Sequence, residues 1–230
     1  MFNNFIKLIF SRHLFVITLT GGIYFSSAAA IESGITLPLS EDAWVVLSYN
    51  KIPSNSVIFA TGSLAVKVKS SASPIVHKLE KVSKVAEFFI KGKVTGSKAV
   101  ETTTFDEDSV LRFGLVATGK QTLTGAKKWF AADWVKRLFS LVPEGPGLDK
   151  IYFFNFTNRA SLLGKFRTHP KSDLIVENIF AETKKDQVIN VSKKIEPPIE
   201  VAAIWISIDG DDSKSEYETL ISEIKLRTAQ

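Results

Sequence analysis

The stretch Ile199-Glu-Val-Ala-Ala-Ile-Trp-Ile-Ser-Ile208 decides the fold class, together with the corner Asp209-Gly210-Asp211-Asp212 and the later run Thr219-Leu-Ile-Ser-Glu-Ile-Lys-Leu226. Successive side chains of an extended segment point to opposite faces, so Ala202, Ile204, Ile206 and Ile208 fall on one side. Val201, Ala203 and Trp205 make the other side mostly apolar, which predicts a strand covered on both faces. Gly210 among three carboxylates predicts that the chain emerges into water there. The pattern is a buried strand, a charged loop and a returning strand.

Period-two patterns continue outward from this pair. Trp44 to Tyr49 reads as a first strand, closed by Asn50-Lys-Ile-Pro53. Leu64, Val66 and Val68 alternate with Ala65, Lys67 and Lys69, a half-buried strand with one solvated face. Lys78 to Lys84 fits a short turn or a helix. Ala86, Phe88, Ile90 and Val94 line one side of the next strand, and Leu111, Phe113, Leu115 and Ala117 do so after the acidic turn Asp106-Glu107-Asp108. Ile151–Thr157 and Leu174–Ala181 are further strand candidates. One segment has a different period: Thr124 to Val142 places Phe130, Trp134, Leu138 and Leu141 near one helical face, between an N-capping threonine and the stop Pro143-Glu-Gly145-Pro-Gly147. The expectation is a mainly-β fold, an antiparallel β-sandwich of jelly-roll type with one amphipathic helix packed on it.

The chain has 230 residues and is 45% apolar, enough for a sizeable single core. The absence of cysteine excludes disulfides, thiolate metal sites, cysteine nucleophiles and a cysteine-linked lipid anchor. Lys7 and Arg12 precede the apolar run Leu14–Phe25 and then Ser26-Ser27-Ala28-Ala29-Ala30, and no acidic residue occurs before Glu32. That is the pattern of a secretory signal peptide over residues 1–30, cleaved near Ala30. A retained anchor is the competing reading, but Thr18, Thr20, Gly21 and Gly22 break the run. Residues 31–230 would then form one periplasmic or secreted domain with no membrane span. Removing Lys7 and Arg12 lowers the formal charge from +5 to +3, a scattered surplus that argues against nucleic acid.

The order of features from about Trp44 to Leu226 resembles an uncharacterised exported bacterial family known as domain of unknown function 3047. The resemblance rests on several short segments: Trp44 with Lys51-Ile52, Val110-Leu-Arg112-Phe-Gly-Leu-Val116 after an acidic turn, the aromatic strand at Tyr152, Val176-Glu177-Asn178-Ile179, Lys185-Asp186, and the strand ending in Asp209-Gly210-Asp211. The family tends to have tryptophans where this chain has Phe88-Phe89-Ile90, and its aspartate-pair turn is followed by an arginine at a spacing not matched cleanly here. The resemblance implies a β-sandwich like that of carbohydrate-binding modules; fold alone does not imply function.

Candidate sites follow from the acidic turns and the aromatics. Asp209, Asp211 and Asp212 could supply oxygens to a structural Ca²⁺. They do not form an EF-hand, because Ser213, Lys214 and Leu220 occupy its fifth, sixth and twelfth positions, and a solvated acidic loop is the simpler reading. If Asp106 and Asp108 reach the same end of the sandwich as Asp209 and Asp211, they would make a joint ligand site with Arg112, or a carboxylate pair for glycoside hydrolysis. Glu177 and Asn178 interrupt an apolar strand and read as a buried hydrogen-bonded pair. His77 and His169 are isolated, which argues against zinc, and no nucleophile elbow or phosphate loop occurs. Trp134 is expected to pack onto the sheet, leaving Trp129 as the exposed aromatic able to stack on a sugar. The sequence therefore points to an exported non-catalytic protein, without cofactor, that binds a glycan or other cell-envelope component. An envelope-polysaccharide hydrolase using the paired aspartates and a structural component of an envelope assembly are the alternatives, and oligomeric state leaves no signal.

Overall fold

The computed structural model of the protein describes residues 33–100, 108–143, 145, 147–170 and 172–229. The expected leader at residues 1–30, as well as Asp106, lies outside the described residues. The strands are β1 (Ser33–Thr36), β2 (Val45–Val46), β3 (Ser56–Ala60), β4 (Ser63–Lys69), β5 (Ala72–Ser97) and β6 (Leu111–Gln121). After β6 come helices α1 (Gly125–Phe130) and α2 (Asp133–Leu141), then β7 (Leu148–Thr157), β8 (Phe166–Thr168), β9 (Ile175–Glu182), β10 (Val188–Asp209) and β11 (Glu216–Thr228).

All the strands belong to one continuous sheet, ordered β3-β4-β11-β5-β10-β6-β7-β9-β8, with β1 on β11 and β2 on β5. The sheet becomes a sandwich because β5 and β10 are long and each runs through both layers. In the first layer, residues 85–97 of β5 pair with β11, which also pairs with β4. In the second, Ala72–Lys78 pair with Ala203–Asp209 of β10, and β10 continues to β6, β7 and β9. The ladder between β5 and β10 slips between Lys194 and Ile199 and again between Val201 and Ala203. Pro197 and Pro198 sit in that slip, where a residue with no N–H removes no ladder bond.

Two apolar clusters fix the layers. Ile204, Ile206 and Ile208 face inward with Phe113, Phe88, Ile90, Leu64 and Ile224, and the Phe88 and Phe113 rings meet at 4.7 Å across the sandwich. Ala203 and Trp205 face outward with Val116, Ile151 and Phe153, where Leu138 and Leu141 of α2 cover them. The predicted cover on both faces holds from Val201 to Ile208, but the slip between Val201 and Ala203 exchanges two expected positions: Val201 joins the isoleucines inside and Ala202 joins Trp205 outside. The expected mainly-β sandwich with a helix on one face is observed, and the pairing of β4 and β5 with the last two strands is the wrap-around of a jelly roll. The sheet is mixed rather than wholly antiparallel, because β7 and β9 run parallel.

Several local expectations change. The helix predicted over 124–142 is broken at Ala131 and Ala132, whose backbones are extended. Leu138 and Leu141 stay on the buried face, but Phe130 is 90% exposed because the break turns it away from them. Lys78–Lys84 is neither turn nor helix and continues β5 through its bend. The Trp44–Tyr49 strand shrinks to two residues, since Trp44 turns inward and donates from its indole to the Pro38 carbonyl at 2.6 Å. Among the described residues no helix is long and apolar enough to cross a membrane.

Candidate functional site

The outer face of the second layer carries a polar row inside an apolar surround. Strand register aligns Ser207 of β10 with Arg112 of β6, and Arg112 with Asn155 of β7. Two residues along each strand, on the same face, Trp205 aligns with Gly114, Gly114 with Phe153, and Phe153 with Glu177 of β9. Arg167 of β8 lies opposite Glu177. Period-two geometry thus gathers residues far apart in sequence into one patch.

Over this patch lies a cavity of about 290 Å³ whose lining includes Tyr49, Arg112, Trp134, His169, Trp205 and Ser207. A neighbouring groove of about 430 Å³ shares Tyr49 and Trp134 and extends to Asn50, Asp133 and Arg137. The two volumes are of the size that takes small ligands. Gly114 lies against the floor residues Ile151, Phe153 and Trp205, and its lack of a side chain leaves them room. A Cβ there would stand 2.6 Å from the Phe153 ring and 2.8 Å from the Trp205 carbonyl oxygen.

Arg112 is the electrostatic centre. Its Nη1 lies 3.5 Å from Asp209 Oδ2 and its Nε 4.0 Å from Glu177 Oε1, while Nε donates to Ser109 Oγ at 3.2 Å. Arg167 donates to the other oxygen of Glu177, and Asn155 Nδ2 donates to Oε1 at 3.2 Å. Burial pushes the Glu177 carboxyl up, but Arg112, Arg167 and Asn155 together outweigh it and hold the group below its ordinary range. Asp209 goes the other way. It accepts from Ser207 Oγ at 2.8 Å and faces Arg112, yet burial, reinforced by the charges of Asp108 and Asp211, pushes it up to about 6. Burial and the Asp209 charge also raise the Tyr49 phenol, so that hydroxyl stays a neutral donor at physiological pH.

The condition set for a joint acidic site, that the two turns reach one end of the sandwich, is met by Asp108 and Asp209. The Asp209 N–H donates to the Ser109 carbonyl at 3.2 Å, Ser213 N–H donates to Asp108 Oδ2 at 2.7 Å, and the Tyr217 hydroxyl donates to the Asp209 carbonyl at 2.8 Å. Asp108, Arg112, Asp209 and Asp211 therefore occupy one end of the sandwich. The chain does not surface at Gly210 as predicted, since Asp108, Asp209 and Gly210 are all buried and only Asp211 to Lys214 reach solvent. The reason is the pairing: the Gly210 N–H donates to Ser71, and its carbonyl accepts from Ser215.

At the candidate Ca²⁺ position of Asp209, Asp211 and Asp212, the carboxylate of Asp209 turns toward Ser207 and Arg112. Among the described residues no group of three or more His, Cys, Asp or Glu side chains is placed to hold a metal ion. Trp129 is 84% exposed, as expected of an aromatic free to stack, but it stands on α1 and lines neither the cavity nor the groove. Trp134 packs onto the outer cluster as expected and also forms the boundary between the two cavities. Glu177 is the buried hydrogen-bonded residue that its strand position suggested.

Sequence reasoning did not single out Tyr49, Asn155, Arg167, Ser207, Arg137 or the cavity position of His169. Ser207 between Ile206 and Ile208, and Asn155 between Phe154 and Phe156, carried the same polar-in-apolar signal as Glu177. Tyr49 and Arg167 come from a loop and a three-residue edge strand, where no periodicity marks them.

No protein-family model matches the chain, and no curated protein matches it. Among solved structures, the chain is similar to a family 11 carbohydrate-binding module from Clostridium thermocellum in complex with a β-1,3-1,4-mixed-linked tetrasaccharide, at 9% identity over 87% of this chain and 98% of that one, with a TM-score of 0.43. It is also similar to a xylan-binding module, at 11% identity over 86% of this chain and 98% of that one, TM-score 0.39. A family 29 carbohydrate-binding module from Piromyces equi is similar at 10% identity over 86% of this chain and 92% of that one, TM-score 0.38.

Proposed function

We propose that the protein is an exported, non-catalytic binding protein that holds a glycan segment on the outer face of its second layer. The observation that carries this reading is a cavity bounded by Tyr49, Trp134 and Trp205, with Arg112 and Ser207 fixed at its base. A sugar ring presents an apolar C–H face to aromatic side chains and hydroxyls to oriented donors and acceptors, and this lining offers both. The carboxylates favour binding over hydrolysis. Glu177 and Asp209 are held by Arg112, Arg167 and Ser207, whereas a glycosidase needs two carboxyl groups facing the bond to be cleaved. Export rests on the leader pattern of residues 1–30.

The test is a glycan array probed with the protein from Ile31 onward, followed by calorimetric titration of the best binder. Trp134→Ala and Tyr49→Ala should each weaken binding roughly tenfold, the loss expected for an aromatic contact plus its buried area. An array without binders, or variants that bind as tightly as the parent, would refute the site. Reducing ends accumulating on incubation would replace binding by hydrolysis.

A further inference from the structure

The groove beside the cavity holds a guanidinium with no partner of its own. Arg137 lies on α2 three residues after Trp134, and the two side chains share a helix face and both line the groove. Arg112, Arg167 and Arg227 each face a carboxylate. Among the described residues Arg137 faces none, and its Nε is shielded from solvent without a hydrogen-bond acceptor. Asp133, four residues earlier on α2, is paired instead with Lys136 at 3.5 Å. A buried N–H without an acceptor costs free energy that a ligand oxygen would recover, and a planar guanidinium matches a planar or tetrahedral oxyanion through paired N–H donors.

We infer that the groove takes an acidic saccharide, with Arg137 receiving a carboxylate or sulfate of the sugar while Trp134 and Tyr49 hold the neighbouring ring faces. This rests on the glycan-binding reading above and adds the charge of the ligand to it. Charge discrimination lies in the groove rather than in the cavity, because Arg112 and Arg167 are already matched there by Glu177 and Asp209. Asp133 beside the groove is exposed and paired with Lys136, so solvent and the lysine screen its charge and it opposes an anion only weakly.

The test is calorimetric titration with three oligosaccharides of equal length, one a uronate, one sulfated and one neutral, at low and high salt. The parent should prefer one of the acidic ligands by about tenfold or more, and the preference should shrink as salt rises. Whichever acidic ligand wins identifies the oxyanion. Arg137→Gln should abolish the preference for the acidic ligand over the neutral one, while Arg137→Lys, which keeps the charge but not the fork, should restore part of it. Thermal melts of both variants check that the fold is intact. Equal binding of acidic and neutral ligands by the parent, or a preference that survives Arg137→Gln, would overturn the inference while leaving glycan binding standing. Silence from all three ligands, with none on the array, would overturn the binding reading and this one with it.

Discussion

Replacing Asp209 with asparagine should remove a particular pH dependence from the stability of the protein. The carboxyl is 6% exposed, and burial, followed by the nearby carboxylates Asp108 and Asp211, lifts it to about 6 against the attraction of Arg112 and Ser207. In the unfolded chain it titrates near its ordinary 3.8. Between those values the folded state keeps a proton that the unfolded state has lost, so stability from this group is complete below the lower value and is lost as pH rises through the upper one. The gap corresponds to about 3 kcal/mol, at roughly 1.36 kcal/mol per pH unit. Glu177 has the opposite sign, because its carboxyl is held below its ordinary range and its contribution is lost on acidification. Glu177 is present in both proteins, so taking the difference between parent and Asp209→Asn removes its contribution. Urea denaturation at closely spaced pH from about 3.5 to about 8 gives that difference directly. The parent should lose about 3 kcal/mol relative to the variant across this range. A flat difference would mean that Asp209 is not desolvated, and a difference that grows in favour of the parent would mean that Arg112 outweighs burial.

Arg112→Met should destabilise the protein by about 3–5 kcal/mol in urea, because Glu177 and Asp209 would keep their burial and lose a shared counter-charge; a loss below about 1 kcal/mol would refute the central role given to this arginine. Gly114→Ala places a methyl 2.8 Å from the Trp205 carbonyl oxygen and should cost about 1–3 kcal/mol, with weaker ligand binding as the cavity floor rises. A stabilised variant would show the floor to be looser than described. Leu138→Ala, at a fully buried position of α2, should cost about 2–5 kcal/mol by equilibrium denaturation, whereas a helix resting loosely on the sheet would give almost none. Ca²⁺ and EDTA should leave the thermal transition unchanged; a concentration-dependent rise with Ca²⁺ would place a metal at the Asp209 corner.

The sandwich was legible because burial on two faces and alternation on one leave different marks. Ile204, Ile206 and Ile208 alternate with Ala203 and Trp205, and the structure puts the two sets in different apolar clusters. The meeting of Asp108, Arg112 and Asp209 was legible only as a condition: each sits where a strand meets a turn, but nothing in the sequence says that the turns share one end. Two things were not readable. One is the length of β5 and β10, because the charged, proline-bearing 193–198 segment looks like a loop, and after Lys194 it is a slip in the ladder rather than the end of the strand. The other is the cavity, whose lining comes from two loops, four strands and a helix with no local pattern joining Tyr49, Trp134 and Ser207. The break at Ala131 and Ala132 shows the limit of helical periodicity, since Phe130 fits the apolar face by count and leaves it through two backbone dihedral changes.

The pairing of the first layer also sets when the protein can fold. Leu64 pairs with Ile221 and Ser33 with Thr228, so β1 has no strand neighbour, and β4 none besides β3, until β11 exists. Closing so long a loop is slow, and the entropy it costs must be met before any contact rewards it. During synthesis β3 and β4 can form only a hairpin through the two-residue turn Thr61-Gly62, which is marginal by itself. The first layer therefore stays open on this side until β11 is made. That makes β11 the step that commits the first layer to its final shape.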